Sequence, residues 1–441
     1  MKRVCCFFYC LAVVLSGWTL CAVGYYNQLL PDRFTVSRGQ TVQVGDLVVS
    51  TSPGVERAVA ASVGGQYRTT LSLMGVIPLK EVAVTVTEEK TVMVCGTPFG
   101  VKLYTDGVLV VSLSDVTTAV GQVNPAAAAG VQVGDTILAV NGERITTSRQ
   151  LSQHIAGCEG KKITLRLRRD GVAFDAAFTP VRAGDGSGYK AGMWVRDSAA
   201  GVGTLTFYDP ATGVFAGLGH PVCDVDTGQE MVLGSGEMVP ARIFGVEKGR
   251  SGSPGELNGC FEPGSLGNLT RNGQDGVYGV LTTHPTAAES LPVARRQQVK
   301  EGAAEIWTTV EGTTPKRYAV EIEQVRYSGL ASTRNLVVRV TDPELLAKTG
   351  GIVQGMSGSP IIQDGKLVGA VTHVLVDDPT RGYGIFAESM LDTAATVAEQ
   401  KPHPNANKKS LWQSPQAFCY SSIPNNQSTD TFSSFANSRS S

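Results

Sequence analysis

Residues 34–94 alternate between apolar and polar side chains in short runs that glycine and proline interrupt. Two of these runs are TVQVGDLVV and EVAVTVTEEKTVMV. A period of two is typical of strands with one buried face, and the interruptions mark turns. We therefore predict a small β domain over 27–94. Because valine, threonine and the 51 glycines are spread through the whole chain, we expect a mainly β fold with some α.

The N-terminus follows a different pattern. Lys2 and Arg3 precede an uncharged apolar run over 4–24, which at about 1.5 Å per residue roughly spans the hydrocarbon core of a bilayer. Positive charge stays on the cytoplasmic side, so we predict a signal or transmembrane anchor over 1–26 and export of the rest. A signal-peptidase site at 22–24 and a retained anchor both stay open.

Charge and cysteine content argue against some classes of partner and binding site. The 38 basic and 39 acidic residues give a net charge of −1 and form no long block of one sign, so we expect no nucleic-acid partner. Four of the nine cysteines lie in the apolar N-terminal run, and the other five are dispersed and favour neither a zinc site nor a disulfide framework. We predict no metal and no cofactor. Residues 401–441 are polar with few aliphatic side chains, which predicts a disordered tail.

The segment 95–180 resembles a PDZ domain. Its order is a glycine-framed loop, a strand, the run AAAAGVQVGDTILAVNGE and a helix, and Asn141-Gly142 suits a tight hairpin turn. A PDZ fold binds an extended peptide as an added strand and receives its carboxylate on the N–H groups of that loop. The matching positions in this chain are Gly96, Phe99, Gly100 and Val101. A PDZ fold that serves only as a spacer stays open.

Two stretches have the form of a serine nucleophile loop, GMSGSP at 355–360 and GRSGSP at 249–254. The first lies between a glycine-rich approach and two apolar strands, and the second runs on into further loop residues. We therefore predict Ser357 as the nucleophile and Ser251 as an exposed turn. By resemblance to chymotrypsin-like proteases, the N–H groups of Gly355 and Ser357 would bind the oxyanion. This resemblance predicts a β-barrel serine peptidase domain over 181–400.

A serine nucleophile needs a base, normally histidine. His220 ends a run of two apolar strands and would emerge at a strand end. His284 and His373 are more typical of turn or core histidines, and His154 lies on the predicted PDZ helix.

Three carboxylates compete for the acid: Asp224, Asp226 and Asp342. The spacing alone does not choose among them. Asp342, before Pro343, also has the sequence of a helix N-cap.

Three stretches together resemble the stage IV sporulation protein B peptidase family: LMGVIPLKEVAVTV, GVGTLTFYDPATGVFAGLGHPVCDVDTG and TDPELLAKTGGIVQGMSGSPIIQDGKLVGAVTHVLVDDP. The resemblance covers about 70–395, and it implies a triad of His220, Asp342 and Ser357.

This resemblance also implies a signalling serine endopeptidase of sporulation. Such a protein cleaves itself and a membrane-bound regulator of an intramembrane protease, and thereby triggers activation of a late mother-cell sigma factor. It acts in the space between the forespore and mother-cell membranes. The alternatives are an envelope quality-control protease of the high-temperature-requirement type and a non-catalytic, membrane-tethered PDZ adaptor.

Overall fold

The computed structural model describes residues 2–45, 47–51, 62–327, 333–400 and 419–420. The predicted tail 401–441 lies outside this part of the chain, apart from 419–420. The helices are α1 (Lys2–Leu29), α2 (Pro125–Ala128), α3 (Ser148–Gly157), α4 (Pro343–Thr349) and α5 (Ala387–Glu399), with a 3₁₀ helix at Arg296–Gln298.

Strands make up most of the remaining regular structure. In the N-terminal half they are β1 (Arg33–Ser37), β2 (Gln43–Val44), β3 (Val48–Ser50), β4 (Gln66–Leu73), β5 (Ile77–Thr87), β6 (Thr91–Val94), β7 (Pro98–Leu113), β8 (Val116–Thr118), β9 (Gly121–Val123), β10 (Thr136–Val140), β11 (Glu143–Arg144), β12 (Ile163–Arg169), β13 (Val172–Phe178), β14 (Val181–Arg182), β15 (Tyr189–Lys190) and β16 (Met193–Tyr208).

The strands of the C-terminal half are β17 (Val214–Gly217), β18 (Leu233–Glu247), β19 (Glu256–Phe261), β20 (Gly267–Gly273), β21 (Gly276–Leu281), β22 (Glu289–Pro292), β23 (Gly302–Thr308), β24 (Lys316–Val325), β25 (Leu336–Val340), β26 (Pro360–Gln363), β27 (Lys366–Val374), β28 (Arg381–Phe386) and β29 (Cys419–Tyr420). The prediction of a mainly β fold with some α is confirmed.

The chain divides into two compact units. The first contains Met1–Thr105, Ser198–Pro221 and Val232–Ile423, and the second contains Asp106–Asp197 and Val222–Met231. The predicted PDZ domain over 95–180 and peptidase domain over 181–400 stay predictions, and in this division residues 98–105 at the start of β7 belong to the first unit.

The second unit has a β core with α3 packed on it. β10 pairs with β12, and β12 pairs with β13, all antiparallel. Leu151 and Ile155, one turn apart on α3, are buried in the same core cluster. Asn141 (φ +49°) and Gly142 (φ +81°) form the two-residue turn between β10 and β11, as the sequence predicts.

The N-terminal part of the first unit is a five-stranded sheet in the order β1-β5-β4-β3-β2. Its alternating valines point into one core, as the period of two requires. Next to it, the stretch Tyr9–Leu29 of α1 is long and apolar enough to cross a membrane, and a signal sequence has the same character.

The remainder of the first unit contains two β assemblies. One is a sheet that includes β16, β17, β21, β20, β18 and β19 in that order. The segment from β6 into β7 pairs with β16 at Val94 and with β18 at Phe99, so it joins distant strands of that sheet. The other is a closed barrel in the order β23-β24-β25-β28-β27-β26. This arrangement places His220, after β17, and Ser357, before β26, on separate assemblies of one unit.

Candidate active site

The loop that carries Ser357 joins α4 to β26, and backbone hydrogen bonds hold it. The N–H of Met356 donates to the carbonyl oxygen of Val353 (3.1 Å), which closes a tight turn. The N–H of Gly358 donates to the carbonyl oxygen of Val371 on β27 (2.7 Å). The loop is thus fixed both internally and against the barrel.

Gly358 has no room for a side chain. Its φ is +91°, and a Cβ atom there would lie 2.1 Å from the carbonyl oxygen of Thr204 and 2.5 Å from the nitrogen of Leu218. Only glycine allows such an approach. The N–H of Thr204 also donates to the carbonyl oxygen of Ser357 (3.0 Å). The serine loop therefore packs closely on β16 and on the turn after β17.

The side chain of Ser357 is buried, with 7% of its surface exposed. Its Oγ donates a hydrogen bond to the carbonyl oxygen of Thr372 (2.8 Å). The hydroxyl is therefore held by the backbone of β27 and not by a base.

Two N–H groups of the loop have no hydrogen bond within the described part of the chain, those of Gly355 and Ser357. Gly355 has a φ of +94°, in the region that favours glycine. Neighbouring free N–H groups on such a backbone can bind an anion. They are the two donors that the sequence predicts for the oxyanion.

His220 follows a sharp turn after β17, in which Leu218 (φ +66°) and Gly219 (φ +69°) are both left-handed. Its side chain is 2% exposed, and its Nδ1 lies 2.8 Å from the carbonyl oxygen of Pro221. Because a carbonyl oxygen only accepts, Nδ1 carries the proton and Nε2 presents a lone pair. Nε2 is buried and has no hydrogen-bond partner among the described residues.

Burial lowers the pKa of His220 to about 4, and the hydrogen bond to Pro221 offsets part of that effect. The ring is therefore neutral at neutral pH. A neutral imidazole with a free lone pair is the form that a general base needs.

The turn before His220 packs on the strand that holds the serine hydroxyl. A Cβ atom at Gly219 would lie 2.9 Å from Cγ2 of Thr372 and 3.7 Å from the carbonyl oxygen of Val371. Together with the contact between Leu218 and Gly358, this brings the predicted base and nucleophile into one neighbourhood of the first unit.

His373 is a part of this neighbourhood that the sequence did not assign to it. Its ring lies 5.3 Å from that of His220, measured between centroids, with the planes tilted by 47°. Its Nδ1 is buried without a hydrogen-bond partner in the described chain. Burial, then the nearby His220 and Arg334, lower its pKa to about 2. The only sequence signal for this residue was its place on the strand that follows the nucleophile loop.

Asp342 caps α4. Its Oδ1 accepts hydrogen bonds from the N–H groups of Glu344 (2.9 Å) and Leu345 (3.0 Å), and its Oδ2 accepts from the N–H of Ala319 (3.3 Å). The hydrogen bond of His220 goes to Pro221 and not to Asp342. The structure thus shows the capping role that the sequence left open, and the triad role of Asp342 stays a prediction.

The other two candidate acids lie in the second unit and are engaged there. Arg196 bridges Asp224 and Asp226, and Asp224 is buried. The carboxylate of Asp224 also accepts from the N–H and Oγ1 of Thr227, both at 2.9 Å. These contacts are those of a turn-forming aspartate.

The residues predicted for the PDZ peptide loop require a correction. Phe99, Gly100 and Val101 lie in the first part of β7 and pair with 238–240 of β18. Phe99 and Val101 are completely buried, and the N–H of Gly96 donates to the carbonyl oxygen of Leu205 (2.8 Å). This segment is a core strand of the first unit, so its N–H groups are not arranged as a carboxylate-binding loop.

The remaining candidates lie away from this neighbourhood. Ser251 is in an exposed turn, as predicted, although β19 follows it where the sequence suggested only loop. The ring of His284 stacks on Tyr208 (5.1 Å). His154 faces Glu143 on the second unit (3.6 Å).

Comparisons with known proteins assign the two regions to families. Residues 187–391 match the family model described as SpoIVB peptidase S55, and residues 116–169 match that of a PDZ domain. The peptidase match contains His220, Asp342 and Ser357. The PDZ match begins after Val101, in agreement with the corrected position of that segment.

A curated relative and several solved structures share parts of the chain. LL2128 of Lactococcus lactis subsp. lactis (strain IL1403), which bears the name of a zinc metalloprotease, is 35% identical over 107 residues. These cover 24% of this chain and 23% of LL2128, so the chain spans about a quarter of that relative's length.

The PDZ domain of the SdrC-like protein Lmo2051 from Listeria monocytogenes matches at 22% identity and a TM-score of 0.17, over 20% of this chain and 87% of that one. The active form of the Rv3671c protease from M. tuberculosis matches at 16% identity and a TM-score of 0.28, over 46% and 77%. The HtrA-type protease AlgW with decapeptide matches at 12% identity and a TM-score of 0.28, over 47% and 55%.

Proposed function

Residues 187–391 match the SpoIVB peptidase S55 family and residues 116–169 match a PDZ domain, and from these matches we propose that the chain is a PDZ-containing serine peptidase and an exported signalling endopeptidase of sporulation. Ser357 is the nucleophile, His220 the base, and the N–H groups of Gly355 and Ser357 the oxyanion donors. The observation that carries this assignment is the buried, unpartnered Nε2 of His220, in a turn that packs against the serine loop.

The proposed first step transfers one proton and forms one bond. Oγ of Ser357 leaves the carbonyl of Thr372, attacks the scissile carbonyl carbon and gives its proton to Nε2 of His220. The oxyanion that develops accepts hydrogen bonds from Gly355 and Ser357.

The second half of the cycle returns the proton. His220 protonates the departing amine as the C–N bond breaks, which leaves an acyl group on Ser357. A water molecule then gives a proton to His220 and attacks the acyl carbon, and the collapse of that intermediate restores the Ser357 hydroxyl.

The third triad position belongs to Asp342 in the family resemblance, and we retain it as a proposal. In the resting geometry the Asp342 carboxylate caps α4, while Pro221 fixes the tautomer of His220.

The proposed biological role is cleavage of the chain itself and of a membrane-bound regulator of an intramembrane protease, in the space between the forespore and mother-cell membranes. That cleavage would lead to activation of a late mother-cell sigma factor. The peptidase and PDZ matches support a protein substrate, and the apolar α1 supports export.

The role is tested by following cleavage in sporulating cells that produce the full chain or its Ser357→Ala variant, with the membrane-bound regulator epitope-tagged. We expect processing of both the regulator and the peptidase with the wild type and of neither with Ser357→Ala. Ser251→Ala is the matched control, since the same loop sequence lies in an exposed turn there, and it should process both. Regulator cleavage that persists in Ser357→Ala would reject the role.

A further inference from the structure

Two buried histidine rings lie side by side next to the nucleophile, and the proposed mechanism uses only one of them. We propose that His373 is a positioning residue, which holds the ring of His220 and supplies a hydrogen-bond acceptor when that ring becomes charged. The inference rests on the proposed function of His220 as the base, and it adds a residue that the predicted triad does not contain.

The geometry of β27 directs His373 into the site. The pairing of β27 with β28 shifts register between Val371 and Val374, so Thr372 and His373 lie in an irregularity of the strand. Such bulges re-aim side chains. Here Thr372 offers its carbonyl to Ser357, and His373, the next residue, places its ring against that of His220.

The chemistry follows from the tautomer of His220. Its Nδ1 proton is committed to Pro221, so the proton from Ser357 must go to Nε2, and a cation forms in a site with 2% exposure. A charge in such a place is unfavourable unless polar groups compensate it. Nδ1 of His373 is buried and without a partner in the described chain, and in the tautomer with the proton on Nε2 it offers an acceptor beside that ring.

His373 is suited to this role because it stays neutral. The charged and titratable groups that act on it are His220 and Arg334. Both disfavour a second proton on His373, so its one accepting lone pair stays available when His220 takes up a proton. Arg334 itself lies over the ring of Tyr383 (5.2 Å).

A matched pair of substitutions separates positioning from packing. Asn and Leu are similar in size, and Oδ1 of an asparagine falls near the position of Nδ1 of a histidine. If His373 supplies an acceptor, His373→Asn keeps much of the activity and His373→Leu loses it. If His373 only fills space in a buried site, the order is reversed, because an apolar side chain is the better filler there.

The measurement uses the full chain and a fluorophosphonate probe, which reports the reactivity of the serine without a known substrate. We expect the second-order labelling rate to fall about 100-fold in His373→Leu and less than about 10-fold in His373→Asn. These losses are a part of the rate enhancement that general-base catalysis contributes. Because the His220 cation loses its acceptor, the acid limb of the rate should also move to lower pH in His373→Leu.

The outcomes are distinguishable. Equal labelling of both variants and the wild type, or faster labelling of His373→Leu than of His373→Asn, would overturn the role of His373 and leave the proposed peptidase intact. Absence of labelling in the wild type would overturn the proposed function and the inference with it. Thermal unfolding of both variants identifies any loss of structure, and His284→Leu against His284→Asn, at an exposed histidine, provides the corresponding control pair.

Discussion

The hydroxyl of Ser357 and the imidazole of His220 each make a hydrogen bond to a backbone carbonyl, of Thr372 and Pro221 respectively. The second bond sets the tautomer that the reaction needs, whereas the first occupies the nucleophile. A neutral hydrogen bond contributes only about 1 kcal/mol net, so a bound peptide can readily displace the first. In the resting structure the proposed base is therefore in the required tautomer, and the proposed nucleophile is restrained.

The lowered pKa values of the two buried histidines predict how the free energy of unfolding depends on pH. Their pKa values in the folded state are lowered, to about 4 for His220 and about 2 for His373, so the unfolded chain binds protons first. Their contribution to stability is complete above about pH 6.5 and is lost as the pH falls, towards 4 for His220 and further towards 2 for His373. Each histidine contributes a slope of ~1.4 kcal/mol per pH unit within that window.

Urea unfolding of the full chain between pH 7 and pH 4.5 measures this slope. We expect a steep decline in the wild type and a shallower one in His373→Leu, which removes one of the two buried groups. His284→Gln serves as the surface control and should keep the wild-type slope. The same slope in His373→Leu as in the wild type would contradict the assignment of a neutral buried pair.

The ends of helix α4 are features that local sequence rules can predict. Asp342 at the N-cap, Pro343 in the first turn and Gly350 (φ +75°) at the C-terminus are the residues that helix ends prefer. All three could be identified from the sequence because each depends on its immediate neighbours. The triad role of Asp342 could not be obtained in this way, since spacing says nothing about which carboxylate meets which histidine in space.

The cap predicts a difference between two substitutions at Asp342. Asparagine caps about as well as aspartate, whereas alanine does not. We expect Asp342→Ala to lower the free energy of unfolding by about 1 kcal/mol and Asp342→Asn to change it by only a few tenths. Chemical denaturation at neutral pH gives both values. Equal destabilisation by the two variants would contradict the cap.

The labelling rate of Asp342→Asn then tests the other proposed role of this residue. A loss of two or more orders of magnitude at unchanged stability keeps Asp342 in the proposed triad, since the acid orients the base. A rate near that of the wild type removes Asp342 from the triad and leaves it as a cap.

At the scale of the whole molecule, the mainly β fold could be predicted and the strand partners could not. The strand and loop motif around Ser357 and the hairpin at Asn141-Gly142 are local and were identified. The strand position of 96–101 was not identified, because its partners at 238–240 are far away in sequence and the two segments meet only when the sheet forms. His373 was missed for the same reason, since its relation to His220 spans two β assemblies.

Of the two similar loops, we expect the one at 355–360, and not the one at 249–254, to contain the reactive serine. The most direct test treats the full chain with a fluorophosphonate probe and maps the modified residue by peptide mass spectrometry. We predict a single adduct on Ser357, which disappears in Ser357→Ala and in His220→Gln and persists in Ser251→Ala. An adduct on Ser251, or labelling that survives in Ser357→Ala, would contradict the account.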